Sequence, residues 1–227
     1  ALRLGVGDTV MVTDGTGRRY RCRIDSRDTQ QTHCTILQTT DCPPPRPRIT
    51  LCVGIPERDA LELLVELVVP LGIAALVPTE CERCQRPWWR RSWDKTVRRL
   101  EHKSVVALKQ SLQCTLPTME APVPFATALT TTPSPHVIAD EHGNTAATVA
   151  GQVATADELT VWIGPPGGFS PEELDTLAAH GARRMRLSPH RLRTELAAAT
   201  ACAFLPRIAH ERSKGEAGGC VSSGRTE

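Results

Sequence analysis

Hydrophobic and polar residues alternate with different periods in the two parts of the chain. Up to residue 42, short runs in which apolar and polar residues alternate (10–13, 20–24 and 33–37) predict β-strands, and the Asp14-Gly15-Thr16-Gly17 run predicts a turn. From residue 49 onward, continuous apolar runs are separated by longer stretches with helical periodicity. Strands that alternate with helices predict an α/β fold with a mostly parallel sheet.

The second part contains four apolar runs that predict buried strands, at 49–54, 73–78, 136–139 and 159–163. Helices are predicted over 60–69 with Asp59 as N-cap, over 93–114 and over 196–205, whereas the Pro- and Thr-rich residues 115–135 predict an irregular connection. Ser170 is a suitable N-cap for a further helix, with Pro171 at its first position.

A proline-rich segment separates the two parts. Residues 43–48 contain Pro43-Pro44-Pro45-Arg46-Pro47, which is typical of a stiff linker. We therefore expect a small β-domain over 1–42 and an α/β domain over 49–209. The Gly-, Ser- and charge-rich residues 210–227 predict a disordered tail.

The net charge is only +2, so the total does not indicate a nucleic-acid-binding protein. Residues 83–109 are nevertheless strongly basic and carry three interleaved tryptophans, Trp88, Trp89 and Trp93. Cations neutralise phosphates and aromatic rings stack on bases, so the segment is a candidate RNA-binding surface. The alternative is a solvated helix face whose tryptophans pack inward.

Nine cysteines without a framework spacing favour a reducing compartment, and no apolar run is long enough to span a membrane. Cys81-Glu82-Arg83-Cys84 has the spacing of a zinc-ligand pair. Because no second pair follows at a suitable distance, we expect no metal site. The alternative is a zinc-stabilised interaction module, in which His33, Cys34 and Cys42 would complete the ligands.

Two loops rich in glycine, proline or arginine each lie between a predicted strand and a predicted helix. One is Gly164-Pro165-Pro166-Gly167-Gly168, and the other is Leu187-Ser188-Pro189-His190-Arg191-Leu192-Arg193. Glycines let backbone amides approach a ligand closely. The first loop is neither a dinucleotide fingerprint nor a phosphate-binding P-loop. A tight turn that only permits strand-to-helix packing is the alternative.

These two loops resemble the 16S ribosomal RNA (uracil-N3)-methyltransferases, members of the SPOUT superfamily of knotted RNA methyltransferases. The resemblance extends from about Leu2 to Phe204 and includes a Leu-Arg-Leu-x-Val-Gly-Asp run near the start. Its two specific motifs are matched by Ile163, Gly164, Pro165, Gly167, Gly168 and Phe169, then by Leu187, Arg191, Leu192, Arg193 and Glu195.

The resemblance implies a PUA-like β-barrel over 1–42, which lacks about twenty residues that family members have before this point. It also implies a C-terminal trefoil knot in the α/β domain. The implied activity is S-adenosylmethionine-dependent methylation of uridine N3 in 16S RNA of the small ribosomal subunit. A homodimer in the cytoplasm is expected, with an organellar location as the alternative.

The resemblance also assigns site residues. It places the cofactor at Ile138, Ala139, Gly164, Gly167, Gly168, Leu187, Leu192 and Arg193, and Arg193 is the catalytic candidate because a cation stabilises negative charge on the uracil. An ordinary ion pair with Glu195 is the alternative for Arg193. Expected RNA-binding residues are Arg3, Arg21, Arg90, Arg91, Gln110, Ser111 and Arg191.

Four positions depart from the family pattern: Pro166 stands where the family has glutamate, and Gln113, Leu67 and Pro70 also differ. A non-catalytic RNA-binding relative that has lost cofactor binding is therefore the alternative function.

Overall fold

The computed structural model describes residues 4–85, 87–145, 149, 153 and 155–218, and over 208–218 it describes the backbone alone. Arg3, a predicted RNA-binding residue, lies outside the described residues, as does the end of the predicted tail, 219–227.

The first part of the chain forms a three-stranded antiparallel sheet in the order β1 (Thr9–Thr13), β2 (Arg18–Arg27), β3 (Thr32–Asp41). The turn between β1 and β2 is organised by Asp14, whose Oδ1 accepts hydrogen bonds from the backbone N–H of Thr16 at 2.8 Å and of Arg18 at 3.2 Å. These bonds hold the pKa of Asp14 at about 2. The three predicted strand runs are therefore confirmed as strands.

The second part forms a parallel sheet of seven strands within the described residues, in the order β10-β8-β9-β4-β5-β6, with β7 also paired to β5. Its strands are β4 (Arg48–Gly54), β5 (Ala75–Glu80), β6 (Thr118–Met119), β7 (Val123–Pro124), β8 (His136–Asn144), β9 (Glu158–Ile163) and β10 (Arg183–Met185). The predicted parallel α/β architecture is confirmed.

Five α-helices are described: α1 (Arg58–Val68), α2 (Trp89–Ser111), α3 (Phe125–Thr131), α4 (Pro171–Ala179) and α5 (Thr194–Gly218). A 3₁₀ turn over Val69–Leu71 follows α1 and contains Pro70. None of the helices in the described residues is long and apolar enough to cross a membrane.

Three local predictions differ from the structure. Glu57, rather than Asp59, occupies the N-cap of α1, so Asp59 lies in its first turn. Residues 115–135 are not irregular throughout, because β6, β7 and α3 lie within them. The last helix continues to Gly218, past residue 209.

The parallel sheet buries both faces, and neighbouring residues of one strand point to opposite sides. Leu51 and Val53 of β4 face a core formed with α1, α2 and α5. Trp162 of β9 faces a second, smaller core with Phe169 and Leu177 of the α4 region. The sheet therefore lies between these two cores.

Candidate functional site

A cavity of about 810 Å³ opens at the carboxyl ends of β4, β8 and β9. Its volume is typical of sites for small organic ligands, and this edge of a parallel sheet is where such sites form. The structure brings together at this cavity eight of the predicted site residues: Ala139, Gly164, Gly167, Gly168, Leu187, Arg191, Leu192 and Arg193.

The glycine-rich loop after β9 is folded tightly against the end of β4. The backbone N–H of Gly168, at φ +72°, donates to the Pro165 carbonyl over 2.7 Å. A Cβ on Gly54 would lie 2.3 Å from Cδ and 2.5 Å from N of Pro165. Glycine is therefore required at Gly54, where the end of β4 touches the loop.

Helix α4 begins directly after this loop with a reciprocal cap. The Ser170 Oγ accepts from the Glu173 backbone N–H at 3.3 Å, and the Glu173 Oε2 accepts from the Ser170 backbone N–H at 2.9 Å. The predicted N-cap is confirmed, and it is a full capping box. The other oxygen of Glu173, Oε1, accepts from the backbone N–H of Glu82 at 2.8 Å.

Through Glu173, the loop that follows β5 is held over the glycine-rich loop. Arg83 donates from Nη1 to the Gly167 carbonyl at 3.4 Å, and a Cβ on Gly167 would lie 3.1 Å from the Arg83 Cβ. Arg83 and Gln85 both line the cavity. The absence of a side chain at Gly167 thus lets Arg83 lie against the cavity wall.

The second cavity loop lies between β10 and α5 and is attached at its two ends. Arg186 donates its backbone N–H to the Asn144 carbonyl at 2.9 Å, and the Thr194 Oγ1 donates to the Gly164 carbonyl at 3.2 Å. Arg191 and Arg193 are exposed between these anchors, and neither forms an ion pair with any described residue. The alternative of a Glu195 ion pair for Arg193 is therefore not what the structure shows.

An ion pair between a nearly buried carboxylate and a partly exposed arginine also lies at the cavity wall. Arg184 of β10 contacts the Asp140 carboxylate through Nε and Nη2, and the His142 backbone N–H donates to Asp140 Oδ1 at 2.8 Å. The Asp140 side chain is only 9% exposed. Arg184 balances the charge of Asp140. Glu57 and Glu195, also at the cavity wall, form no ion pair with a described residue, and Glu141 approaches His142 at 3.8 Å.

Six of the described predicted site residues do not line this cavity: Ile138, Gln110, Ser111, Arg21, Arg90 and Arg91. Ile138 is fully buried in the second core, because its neighbour Ala139 takes the side of the strand that faces the cavity. Gln110 and Ser111 end α2, whose 23 residues span about 34 Å from the cavity edge to the small sheet. The Ser111 hydroxyl donates to Ala107 and Leu108 of its own helix.

The basic, tryptophan-containing segment is mainly structural at its start. The indole N–H of Trp89 donates to Glu80 at 2.5 Å, and that of Trp88 donates to the Pro56 carbonyl at 3.0 Å. Arg90 pairs with Glu80 at 3.2 Å, whereas Arg91 is exposed. The structure favours inward-packed tryptophans over rings that are free for stacking, while the outer face of α2 stays basic.

Cys81 and Cys84 are adjacent, with the Cys81 backbone N–H 3.3 Å from the Cys84 Sγ. Within the described part of the chain, no group of three or more His, Cys, Asp or Glu residues is placed to hold a metal ion. The Cys84 Sγ also donates to the Thr79 carbonyl at 3.6 Å, so the Cys84 thiol has two partners within the protein.

Sequence reasoning missed several cavity residues. Arg83 was identified only as part of a basic run, and Asp140 and Arg184 belong to strands whose spacing does not show that they meet. Arg83 could have been recognised as a cavity residue because it directly follows the buried strand β5 and lies between Cys81 and Cys84. Pro56, Glu57 and Gln85 carried no comparable signal.

Comparisons with known proteins agree with this geometry. Residues 43–206 match the family described as RNA methyltransferase domain. The chain is 29% identical over 210 residues to ribosomal RNA small subunit methyltransferase E of Mycobacterium bovis, covering 88% of this chain and 78% of that protein. It is 28% identical over 206 residues to the protein of the same name from Rickettsia conorii, covering 89% and 82%.

A solved structure has a similar fold. The crystal structure of a ribosomal RNA small subunit methyltransferase E from Neisseria gonorrhoeae bound to S-adenosyl methionine matches with a TM-score of 0.80 at 22% identity, over 91% of this chain and 85% of that one. The family match covers most of the chain, including both loops of the cavity and the strands that carry them. This chain belongs to the RNA methyltransferase domain family.

Proposed function

We propose that this protein transfers a methyl group from S-adenosylmethionine to N3 of a uridine in the 16S RNA of the small ribosomal subunit. The observation that carries the proposal is the meeting of the glycine-rich loop and the Arg191–Arg193 loop at one cavity. Relatives over most of the chain are named small subunit ribosomal RNA methyltransferases, which supports the RNA class of the substrate.

The cavity fits the cofactor in size and in chemistry. S-adenosylmethionine supplies an activated methyl group on a sulfonium, so the protein has to bind and orient. Gly164, Gly167 and Gly168 present bare backbone at the wall, and Leu187 and Leu192 supply apolar surface. Ala139 completes the proposed pocket, whereas Ile138 supports it from the core.

Arg193 is the proposed catalytic residue. Methylation at N3 requires the imide nitrogen to lose its proton, which leaves negative charge on the uracil oxygens. A guanidinium at the cavity wall stabilises that charge. Arg193 suits the role because it is exposed to the cavity and, among the described side chains, has no carboxylate partner that would neutralise it.

RNA contacts are proposed on two surfaces. Arg191 lies at the cavity mouth, and Arg90 and Arg91 begin α2 close to it. Arg21 is exposed on β2 of the small sheet, and Gln110 and Ser111 are at the end of α2 nearest that sheet. Basic side chains on both surfaces would bind phosphates and make the affinity salt-dependent.

A homodimer is supported by apolar surface on the last helix. Ala198, Ala201 and Leu205 of α5 face the core, yet Leu196 is 50% and Phe204 is 43% exposed on another side of the same helix. A second copy of the chain could cover these two side chains. The cytoplasm, the PUA-like barrel and the trefoil knot belong to the same proposal and rest on the resemblance.

The direct test is a calorimetric titration of the protein with S-adenosylhomocysteine, followed by methylation of small ribosomal subunits isolated without this modification. We expect S-adenosylhomocysteine to bind with micromolar affinity and one methyl group to be transferred to each small subunit. Mass spectrometry of the nucleosides should place that methyl group at N3 of a uridine. A folded protein that binds RNA but gives no heat with S-adenosylhomocysteine would instead be the non-catalytic relative. Methyl transfer to another atom would reject the N3 assignment alone.

A further inference from the structure

Two cysteines from different parts of the chain meet where the small sheet contacts the α/β part. Cys42 follows β3, and Cys114 follows α2, 72 residues later. Their sulfur atoms are 2.8 Å apart, with Cys114 Sγ donating to Cys42 Sγ. This separation exceeds the S–S bond length of a disulfide by less than about 1 Å.

The backbone holds the two cysteines in this position. The Gly17 N–H donates to the Cys114 carbonyl at 2.9 Å, and the Gly17 carbonyl accepts from the Cys42 N–H at 2.8 Å. The Thr13 Oγ1 also donates to the Cys114 carbonyl at 3.3 Å. The turn between β1 and β2 therefore fixes both main chains, so the thiols meet without movement of either strand or helix.

A small cavity of about 210 Å³ gives access to the pair, with both cysteines, Arg19 and Pro44 in its wall. Cys42 is half-buried and Cys114 is buried. The Arg19 Nε is buried and has no hydrogen-bond partner among the described residues. Burial raises the pKa of Cys114, and the charge of Arg19 opposes that rise, so Arg19 favours the thiolate whenever Cys114 loses its proton.

We propose that Cys42 and Cys114 form a thiol modification site, which a small disulfide of the glutathione disulfide class oxidises to a bond between the small sheet and the α/β part. The inference is independent of the methyltransferase proposal. It fits a chain whose cysteines are otherwise those of a reducing compartment, because the bond forms only when the oxidant accumulates.

The reaction is ordinary thiol–disulfide exchange. The Cys42 thiolate, the more exposed of the two, attacks one sulfur of the oxidant, breaks its S–S bond and releases one thiolate. The released thiolate takes the Cys114 proton, and the Cys114 thiolate then attacks the Cys42 sulfur. This attack breaks the mixed disulfide and expels a second thiolate, which takes up from solvent the proton that Cys42 had lost. The protein loses two electrons and two protons, and the oxidant gains both as it leaves as two thiols.

The test uses the full chain equilibrated in reduced and in oxidised glutathione, alkylated, digested and mapped by mass spectrometry without reductant. We expect a cross-linked pair of peptides containing Cys42 and Cys114, which dithiothreitol separates. No such pair in oxidised glutathione, or a pair that joins Cys42 to a different cysteine, overturns the proposal.

Thermal unfolding gives a second readout with matched controls. A bond that closes so long a loop should raise the Tm of the oxidised protein by roughly 5–10 °C. The rise should disappear in Cys42→Ser and persist in Cys34→Ser, which changes another half-buried cysteine of the small sheet. An equal rise in Cys42→Ser would show that a different bond stabilises the oxidised protein and would overturn the assignment.

Discussion

The two loops that form the cavity are built in opposite ways. The glycine-rich loop is fixed by contacts from three sides: Pro165 against Gly54, the α4 capping box and the Arg83 hydrogen bond. The Arg191–Arg193 loop is hydrogen-bonded to other elements at its two ends, and its two arginines project without carboxylate partners in the described residues. The glycine-rich loop is a tightly packed wall of the cavity, whereas the Arg191–Arg193 loop presents positive charge to a bound ligand.

This difference separates two kinds of mutational effect. Substitutions in the first loop should lower stability and cofactor affinity together, because its shape depends on packing. Substitutions of the arginines should lower activity or RNA affinity while stability stays the same, because exposed charges contribute little to folding.

Gly54→Ala should have the largest effect. The new methyl group would overlap the Pro165 ring and backbone, so β4 or the loop has to move. We expect a loss of about 2–3 kcal/mol in the free energy of unfolding and at least a tenfold loss of S-adenosylhomocysteine affinity. Urea denaturation and calorimetry measure the two quantities.

Gly5→Ala is the matched control, because the nearest atom to its Cβ would be 3.9 Å away in the Asp8 side chain. If Gly54→Ala were as stable as the wild type, the glycine-rich loop would accommodate the new methyl group. The two loops would then not differ in how far packing fixes them.

Glu173→Ala should have the next largest effect. It removes the acceptor for the backbone N–H groups of Ser170 and Glu82, and buried donors without partners are costly. We expect a loss of about 1–3 kcal/mol in stability and weaker S-adenosylhomocysteine binding. Glu172→Ala, an exposed residue of the same turn, should change stability by less than about 0.5 kcal/mol.

Arg193→Ala should reduce methyl transfer at least tenfold, about 1.4 kcal/mol in the barrier, with unfolding unchanged. Single-turnover transfer to saturating small ribosomal subunits measures this. Turnover equal to that of the wild type would remove Arg193 from the mechanism. A fall in stability would instead place it with the structural residues of the other loop.

Arg191→Ala should have the smallest effect. Loss of one phosphate contact should weaken RNA binding roughly threefold and lower the slope of log affinity against log salt by about 1. S-adenosylhomocysteine affinity should be unchanged. A change in cofactor affinity without a change in salt dependence would place Arg191 in the cofactor pocket.

The sequence predicted best where local chemistry decides the structure. The Ser170–Pro171 cap, the glycine-rich turn and the strands β4 and β9 are each marked by residues close together in the sequence, although distant contacts then fix the loop, and all were predicted. Ile138 lies in the second core rather than at the cavity wall, since a shift of one residue along a strand changes the face. The Asp140–Arg184 pair could not be predicted, because 44 residues separate its partners.

The dual role of Glu173 has a consequence for local opening. Its carboxylate accepts amide hydrogens from the start of α4 and from the loop after β5, two segments that are distant in sequence. Fraying of the first turn of α4 therefore also releases the Glu82 amide. In native-state hydrogen exchange, the Ser170 and Glu82 amides should form one protected unit, which opens with a single free energy.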